Sequence, residues 1–261
     1  MDQQAVLATF DAQIRRHPQP DLPDGYVEHD DDVTRSMSPR DGWAGVTWSD
    51  LDAVIADAVI AAQVARFAEL GRPWEWKHYS YDQPPDLPDR LRAAGFTAEP
   101  AEALLVAEIA DLRLDPVPPP GVELQAVVDE QSIEELISVH DEVFGGDHAA
   151  VGRKLLAGLA SRPSTIAAVV ALAEGRPISA GRVEFAHGTD FASLWGGATL
   201  PAWRGRGVFR SLVARRAALA AGSGFGYLQV DATPASRPIL AHLGFVELAT
   251  TTPFVYPGQR G

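Results

Sequence analysis

The chain of 261 residues contains no cysteine, which excludes a disulfide-stapled scaffold, a thiolate metal site and a cysteine nucleophile. Long apolar runs are also missing. The longest uninterrupted one, Ile166 to Ala173, falls far short of the roughly 20 residues that a membrane-spanning helix needs. The first twenty residues carry Asp2, Asp11, Arg15 and Arg16 and no apolar core of the signal-peptide kind, so a soluble, cytoplasmic protein is expected. Positive charge is scarce: 22 Lys and Arg stand against 35 Asp and Glu, for a formal net charge of −13. That balance argues against nucleic acid or an anionic membrane as partner and would suit a cationic substrate such as an amine. What is present is ordinary for a globular protein, with 46% hydrophobic and 22% charged residues, enough to bury a sizeable core. The length favours two domains.

A second absence is local. From Phe191 to Val230 there is no Asp or Glu, while Arg204, Arg206, Arg210, Arg215 and Arg216 fall inside that window. An acidic chain has cleared one segment of negative charge and loaded it with guanidinium groups, whose planar fork suits phosphate oxygens.

Periodicity and breakers order the elements. A helix-like start precedes a short strand at Tyr26 to Glu28 and another at Trp43 to Trp48. Ser49 is expected to cap a long helix over 50–70, with Val54, Ala58, Ala61 and Ala65 as its apolar stripe and Gly71 as its stop. Strands at 74–79 and 104–106 flank a short helix over 87–94. His29-Asp30-Asp31-Asp32 reads as a solvated acidic turn rather than a ligand set, and no metal is expected. Asp115-Pro116-Val117-Pro118-Pro119-Pro120-Gly121 is the clearest linker, because consecutive prolines fit neither a helix interior nor a central strand. The domains are therefore expected to be 1–115 and 116–261. Beyond the linker come a strand at 122–127, a helix from Ile133 capped by Ser132, and a helix through Lys154 to Leu159. Strands follow at 166–172, 178–185 and 192–199, then a long helix over 207–221, a strand at 226–230, a short helix over 235–243 and a last strand pair ending at Tyr256. This is an α/β fold with a mixed sheet and a strand–helix–strand crossover.

The halves echo one another. Leu91-Arg92-Ala93-Ala94-Gly95-Phe96 answers Leu240-Ala241-His242-Leu243-Gly244-Phe245, and the strands and long helices before them keep the same offset of 149 positions. The expectation is two related domains.

Between the strand ending at Thr199 and the long helix lies Leu200-Pro201-Ala202-Trp203-Arg204-Gly205-Arg206-Gly207. Such a loop lets backbone N–H groups converge at a helix N-terminus, where the helix dipole adds positive potential. Gly205 and Gly207 leave room for a phosphate, and Arg204 and Arg206 can add charged hydrogen bonds. It is neither of the two common phosphate loops. Thr199 through Phe209 resembles the acetyl-CoA loop of the GCN5-related N-acetyltransferases (GNAT), whose pattern is Arg/Gln-x-x-Gly-x-Gly/Ala. Arg204 and Gly207 match the first two fixed positions, and Phe209 stands at the third, where a small residue is usual. Tyr227 to Asp231 followed by Ser236 to Phe245 is similar to the family's next strand and helix.

The resemblance covers about residues 121–257. It implies a mixed central sheet of the acyl-CoA N-acyltransferase type and acetyl-CoA as acyl donor, lying where two parallel strands splay apart. It implies pantetheine along Gly197, Ala198 and Thr199, and the pyrophosphate on the amides of Arg204, Gly205, Arg206, Gly207, Val208 and Phe209. Ser236 takes the place of a cofactor-contacting asparagine, and Leu240 that of a tyrosine that protonates the departing thiolate. Glu184 and Asp231 are the candidate bases, with His187, His242 and Tyr256 as further possibilities; Trp195 is expected in the core. Residues 1–115 look like a degenerate copy, since Ile55-Ala56-Asp57-Ala58 stands opposite the loop. The expected function is N-acetylation of a small-molecule or peptide amine. A non-catalytic acyl-CoA-binding module and a tandem enzyme like mycothiol synthase are the rivals.

Overall fold

The computed structural model describes residues 1–20, 22, 24–38, 42–114 and 117–258, so Asp115 and Pro116 of the expected linker lie outside the described residues. In chain order the elements are α1 (Gln3–Phe10), β1 (Tyr26–His29), β2 (Val33–Met37), β3 (Gly45–Ser49), α2 (Ala56–Phe67), β4 (Trp74–Tyr79), α3 (Leu87–Ala93), β5 (Thr97–Ala98) and β6 (Glu102–Glu108). They continue with β7 (Val122–Ala126), α4 (Glu130–Phe144), α5 (Ala149–Ala160), β8 (Ile166–Ala173), β9 (Arg176–Phe185), β10 (Phe191–Thr199), α6 (Val208–Gly222), β11 (Tyr227–Ala232), α7 (Arg237–Leu243) and β12 (Val246–Tyr256). Among the described residues no helix is long and apolar enough to cross a membrane.

Two compact units result. The N-terminal unit holds Asp2–Leu104, Asp231–Pro234 and the chain from Glu247 onward; the C-terminal unit holds Leu105–Val230 and Ala235–Val246. The division therefore falls inside β6, before the proline stretch, and the C-terminal strand belongs with the N-terminal unit. A boundary read from breakers marks where the chain is stiff, whereas compaction follows which strands pair.

In the N-terminal unit β1, β2 and β3 pair antiparallel in turn, β3 and β4 pair parallel with α2 between them, and β12 closes antiparallel on β4 and β5. Its core joins Met37, Val46, Ile60, Phe67, Trp74, Trp76, Leu87, Leu91 and Phe254. One expectation fails here, and one strand was not foreseen. The last strand pair is one long strand, β12. Strand β2 carries no alternation to betray it, because all five of its residues are buried.

Helix α2 also departs from its reading. It starts at Ala56, and Ser49 does not cap it; Asp52 instead accepts the N–H groups of Val54 and Ile55 (2.7 and 3.0 Å). The expected stripe of Val54, Ala58, Ala61 and Ala65 faces away from the core, with Val54 87% exposed. The buried face is Ala56, Ile60, Gln63 and Phe67, larger residues at i, i+4, i+7 and i+11. Gln63 misled the pattern: its Oε1 accepts a 2.7 Å bond from buried Arg35, so a polar residue occupies the inner face at little cost.

In the C-terminal unit β7, β8, β9 and β10 form an antiparallel run, and β10 pairs parallel with β11 through the α6 crossover. The unbroken apolar run of β8 follows from cover on both faces. Ile166, Ala168 and Val170 pack with Ile133, Leu136 and Leu155 of α4 and α5, while Ala171 and Ala173 pack with Val208 of α6. Helix α4 begins three residues earlier than read: Asp129 is its N-cap and Ser132 the reciprocating partner in a capping box. The six-residue echo is a real structural repeat. In each unit the short helix ends on a left-handed glycine (Gly95, φ 101°; Gly244, φ 112°), and the next phenylalanine N–H bonds the carbonyl five residues back at 3.1 Å, Phe96 to Leu91 and Phe245 to Leu240.

Candidate functional site

Strands β10 and β11 stay paired for only three steps, Phe191↔Tyr227, Ala192↔Leu228 and Ser193↔Gln229. The last step is tied by a bond from the Gln229 side-chain amide to Ser193 Oγ (2.5 Å). Beyond it β10 runs on without its parallel neighbour, so one edge of Leu194 to Thr199 is open. At the far end Ser179 Oγ donates to the Ala198 carbonyl (2.5 Å) and lies 2.7 Å from Thr199 Oγ1, which anchors the strand before the loop.

The loop then turns tightly. Pro201–Trp203 is a 3₁₀ turn, and Arg204 Nε–H donates back to the Thr199 carbonyl (3.0 Å). Gly205 and Gly207 have φ of 73° and 88°, the left-handed region that a glycine enters without strain. A Cβ at Gly205 would meet nothing, so dihedral angle and not space demands glycine there. Helix α6 starts at Val208 with Gly207 as N-cap and no side-chain cap. Its first ladder bond is from Ser211 N–H to the Gly207 carbonyl, and among the described residues the N–H groups of Gly205 to Phe209 meet no acceptor. Five uncapped amides at the head of a 15-residue helix are the kind of geometry that can receive an anion. Arg206 lies over the Trp203 ring, 4.9 Å from its centroid, and stays at the loop surface.

Between splay and loop, β10 is irregular. Its register against β9 shifts between Trp195 and Ala198, and Gly196 has φ 58°. Two side chains that are 1% exposed meet carbonyls at and beside this irregularity. His140 of α4 has Nε2 2.7 Å from the Gly196 carbonyl, and since a carbonyl only accepts, Nε2 carries the proton. Burial pushes this imidazole down to about 4, so it is neutral at pH 7. Arg216 of α6 donates through Nη1 to the carbonyls of Arg182 (3.2 Å) and Trp195 (3.4 Å), and through Nε to that of Leu212 (3.1 Å). Burial, with the charge of Arg182, pulls its guanidinium down to about 10.

The candidate carboxylates are both engaged. Glu184 Oε2 holds Lys154 and Oε1 holds Arg182, each at 2.8 Å, so neither oxygen can take a proton without breaking an ion pair. Asp231 belongs to the N-terminal unit, where its Oδ2 pairs with Lys77 (2.9 Å) and its Oδ1 is buried without a partner. Leu240 is fully buried, an aliphatic side chain with no proton to give. Ser236 directly precedes α7 and does not cap it. Phe209 lies across Gly197: a Cβ there would stand 2.8 Å from the ring. Trp195 is 37% exposed rather than in the core, near the Arg182 guanidinium. His187 Nε2 bonds the Ser164 carbonyl, His242 is exposed, and Tyr256 packs on Trp74 and Phe96 of the N-terminal unit. Among the described residues no group of His, Asp and Glu is placed to hold a metal. His140 escaped the sequence reading, and Arg216, grouped there with the phosphate-suited arginines, is instead buried on backbone carbonyls. Their signal was a polar residue on each helix's apolar stripe, facing a Gly-Gly pair inside a strand, which marks a bulge.

No family model matches the chain, and no curated protein is similar to it in sequence. Solved structures are similar in fold. A GCN5-related N-acetyltransferase from Kribbella flavida superposes with a TM-score of 0.68 at 18% identity, over 98% of this chain and 95% of that one. The chain has the GNAT fold. A functionally unknown conserved protein from Staphylococcus epidermidis has a TM-score of 0.69 at 14% identity, over 90% of this chain and 95% of that one. A tandem GNAT protein from the clavulanic acid biosynthesis pathway has a TM-score of 0.59 at 13% identity, over 99% of this chain and 95% of that one.

Proposed function

We propose that the C-terminal unit is an acetyl-CoA-dependent N-acetyltransferase acting on an amine of a small molecule or peptide, and that the N-terminal unit is a degenerate GNAT-like copy without a cofactor loop. The observation that carries this reading is the set of uncapped amides of Gly205 to Phe209 at the head of α6, beside the open edge of β10. Those amides, with Arg206, would hold the pyrophosphate. Gly197, Ala198 and Thr199 would line the pantetheine arm, and Ser236 stands in the place of a further cofactor contact. When bound, acetyl-CoA supplies an activated acyl group: its C–S bond gives way to a C–N bond with the acceptor amine, and the proton lost by nitrogen leaves with the thiol.

The residues of the chain contribute placement more than proton transfer. Glu184 keeps Arg182 and Lys154 ordered on the surface that carries Trp195, and in this reading it acts as a base only if an acceptor displaces one of those cations. Asp231 differs, since Lys77 holds only its Oδ2 and, among the described residues, its Oδ1 has no partner. With Leu240 in the acid's place, the thiolate would leave without a protein acid, which a CoA thiolate tolerates.

Calorimetric titration of the full chain with CoA tests the reading: one site per chain is expected, and no binding would overturn it. A second reading, a non-catalytic acyl-CoA-binding module, is favoured by Leu240 and by the engaged carboxylates. Thiol release from acetyl-CoA across an amine panel separates the two, because a binding module would bind CoA without turnover. Metabolite profiling with isotopically labelled acetyl-CoA would name the acceptor.

A further inference from the structure

We propose that His140 and Arg216 are positioning residues for acyl transfer, holding the interrupted stretch of β10 at 195–197 in the shape that receives the thioester end of the acyl donor; this rests on the acetyl-CoA reading above. A bulge at the open edge of a sheet leaves carbonyls without ladder partners and would ordinarily be the softest part of the strand. Here the carbonyls of Arg182, Trp195 and Gly196, at and beside the irregularity, are met by side chains from two different helices. Arg216 binds the carbonyls of Arg182 and Trp195, the last registered pair before the gap in the β9–β10 ladder. His140 takes the next carbonyl, that of Gly196.

Glycines make room for both clamps. A Cβ on Gly181 would lie 2.7 Å from Arg216 Nη1, and one on Gly196 would lie 2.7 Å from His140 Cε1. The adjacent Gly197 is exposed, so the clamped backbone presents a bare peptide group to the open edge of the strand. Arg216 has one more property. Among the described residues it meets carbonyl oxygens and no carboxylate, so an uncompensated positive charge is buried behind the bulge. A fixed cation in a water-poor site favours negative charge on a nearby oxygen, such as develops on an acyl carbonyl under attack.

The test uses the full chain, CoA and acetyl-CoA carrying ¹³C at the acyl carbonyl. In the unmodified protein the Gly196 and Gly197 amide resonances should differ between the CoA and acetyl-CoA complexes, and the acyl ¹³C resonance should move on binding. His140→Leu and Arg216→Met should lose at least half of that movement, while CoA affinity, set by the loop, stays within about threefold. His140→Gln and Arg216→Lys, which keep a donor, should recover most of it. An undisplaced ¹³C resonance in the unmodified protein, or a full displacement in the Leu and Met variants, would overturn the inference. Should those variants not fold, the amide comparison in the unmodified protein decides: identical Gly196 and Gly197 shifts with the two ligands would overturn it. Absence of any CoA binding would instead bring down the acetyl-CoA reading itself and this inference with it.

Discussion

The two units each contain a parallel strand pair bridged by a helix, yet they treat the head of that helix in opposite ways. Before α6 the chain supplies glycines in left-handed conformations, arginines, and no side-chain acceptor, so the amides of Gly205 to Phe209 stay open. Before α2 it supplies Asp52, whose carboxylate already takes the amides of Val54 and Ile55. Asp57 follows in the first turn, paired with Arg90. The helices α2 and α3 still line a groove of about 640 Å³ with Ile60, Ala61, Val64, Ala93 and Ala94, and its charged residues are Asp57, Asp89 and Arg90, the last already paired with Asp57. A helix N-terminus attracts an anion only while the chain has not provided one of its own.

Copying that carboxylate should have the largest effect. Gly207→Asp places a negative charge at the N-cap of α6, as Asp52 does near α2, and CoA affinity should fall roughly a hundredfold or more by calorimetry, well beyond the loss in Gly207→Asn, which shares the strain at φ 88° without the charge. Unchanged binding would break the comparison. Acid, by contrast, should treat the units alike, since each holds a histidine that burial keeps neutral: His140, and His78 with Arg15 and Arg92 nearby, are both pushed down to about 4. The unfolded chain takes up these protons near pH 6.5 and the folded chain only near 4. Their stability is therefore fully present above pH 6.5 and is lost as pH falls towards 4. For His140 the loss is on the order of 2–3 kcal/mol, and His140→Gln should flatten that part of the melting-temperature profile.

A smaller effect is expected from the loop's surface charge. Arg206→Glu should weaken CoA binding about tenfold at low salt, and the difference should shrink as ionic strength rises. A salt-independent loss would mean that the loop itself had rearranged. The mildest change sharpens the comparison from the other side. Asp52→Ala removes the acceptor of the Val54 and Ile55 amides in the turn leading into α2 and should cost about 0.5–2 kcal/mol in thermal unfolding, with CoA stoichiometry still one per chain. A second CoA bound by this variant would show that the capping carboxylate alone had silenced the N-terminal unit.

Much of this contrast was legible in residue order. The acid-free window, the Arg-Gly-Arg-Gly loop after a strand and the Leu-Gly-Phe echo located the loop, the crossover and the repeat. Less legible were features that depend on a neighbour outside the local window. The alanine stripe of α2 lost to Ile60 and Phe67 because the true inner face included Gln63, which only Arg35 makes tolerable. Strand β2 hid because both of its faces are covered. Glu184 looked like a free base until Lys154 and Arg182, 30 and 2 positions away, closed on it.

The sequence by itself determined where an anion-receiving turn could form, since glycine at φ 73° and 88° and the lack of a capping side chain are properties of the loop's own residues. It determined equally that the N-terminal unit lacks such a turn, because Asp52 caps amides only two and three positions ahead. Tertiary structure decided the rest. Compaction assigned Asp231 and β12 to the N-terminal unit. Packing of α4 and α6 against β10 brought His140 and Arg216 to the Gly196 and Trp195 carbonyls, contacts 56 and 21 positions apart in the chain. Local turns are governed by dihedral preferences that each residue carries with it, whereas a buried polar contact exists only once the core has closed around both partners.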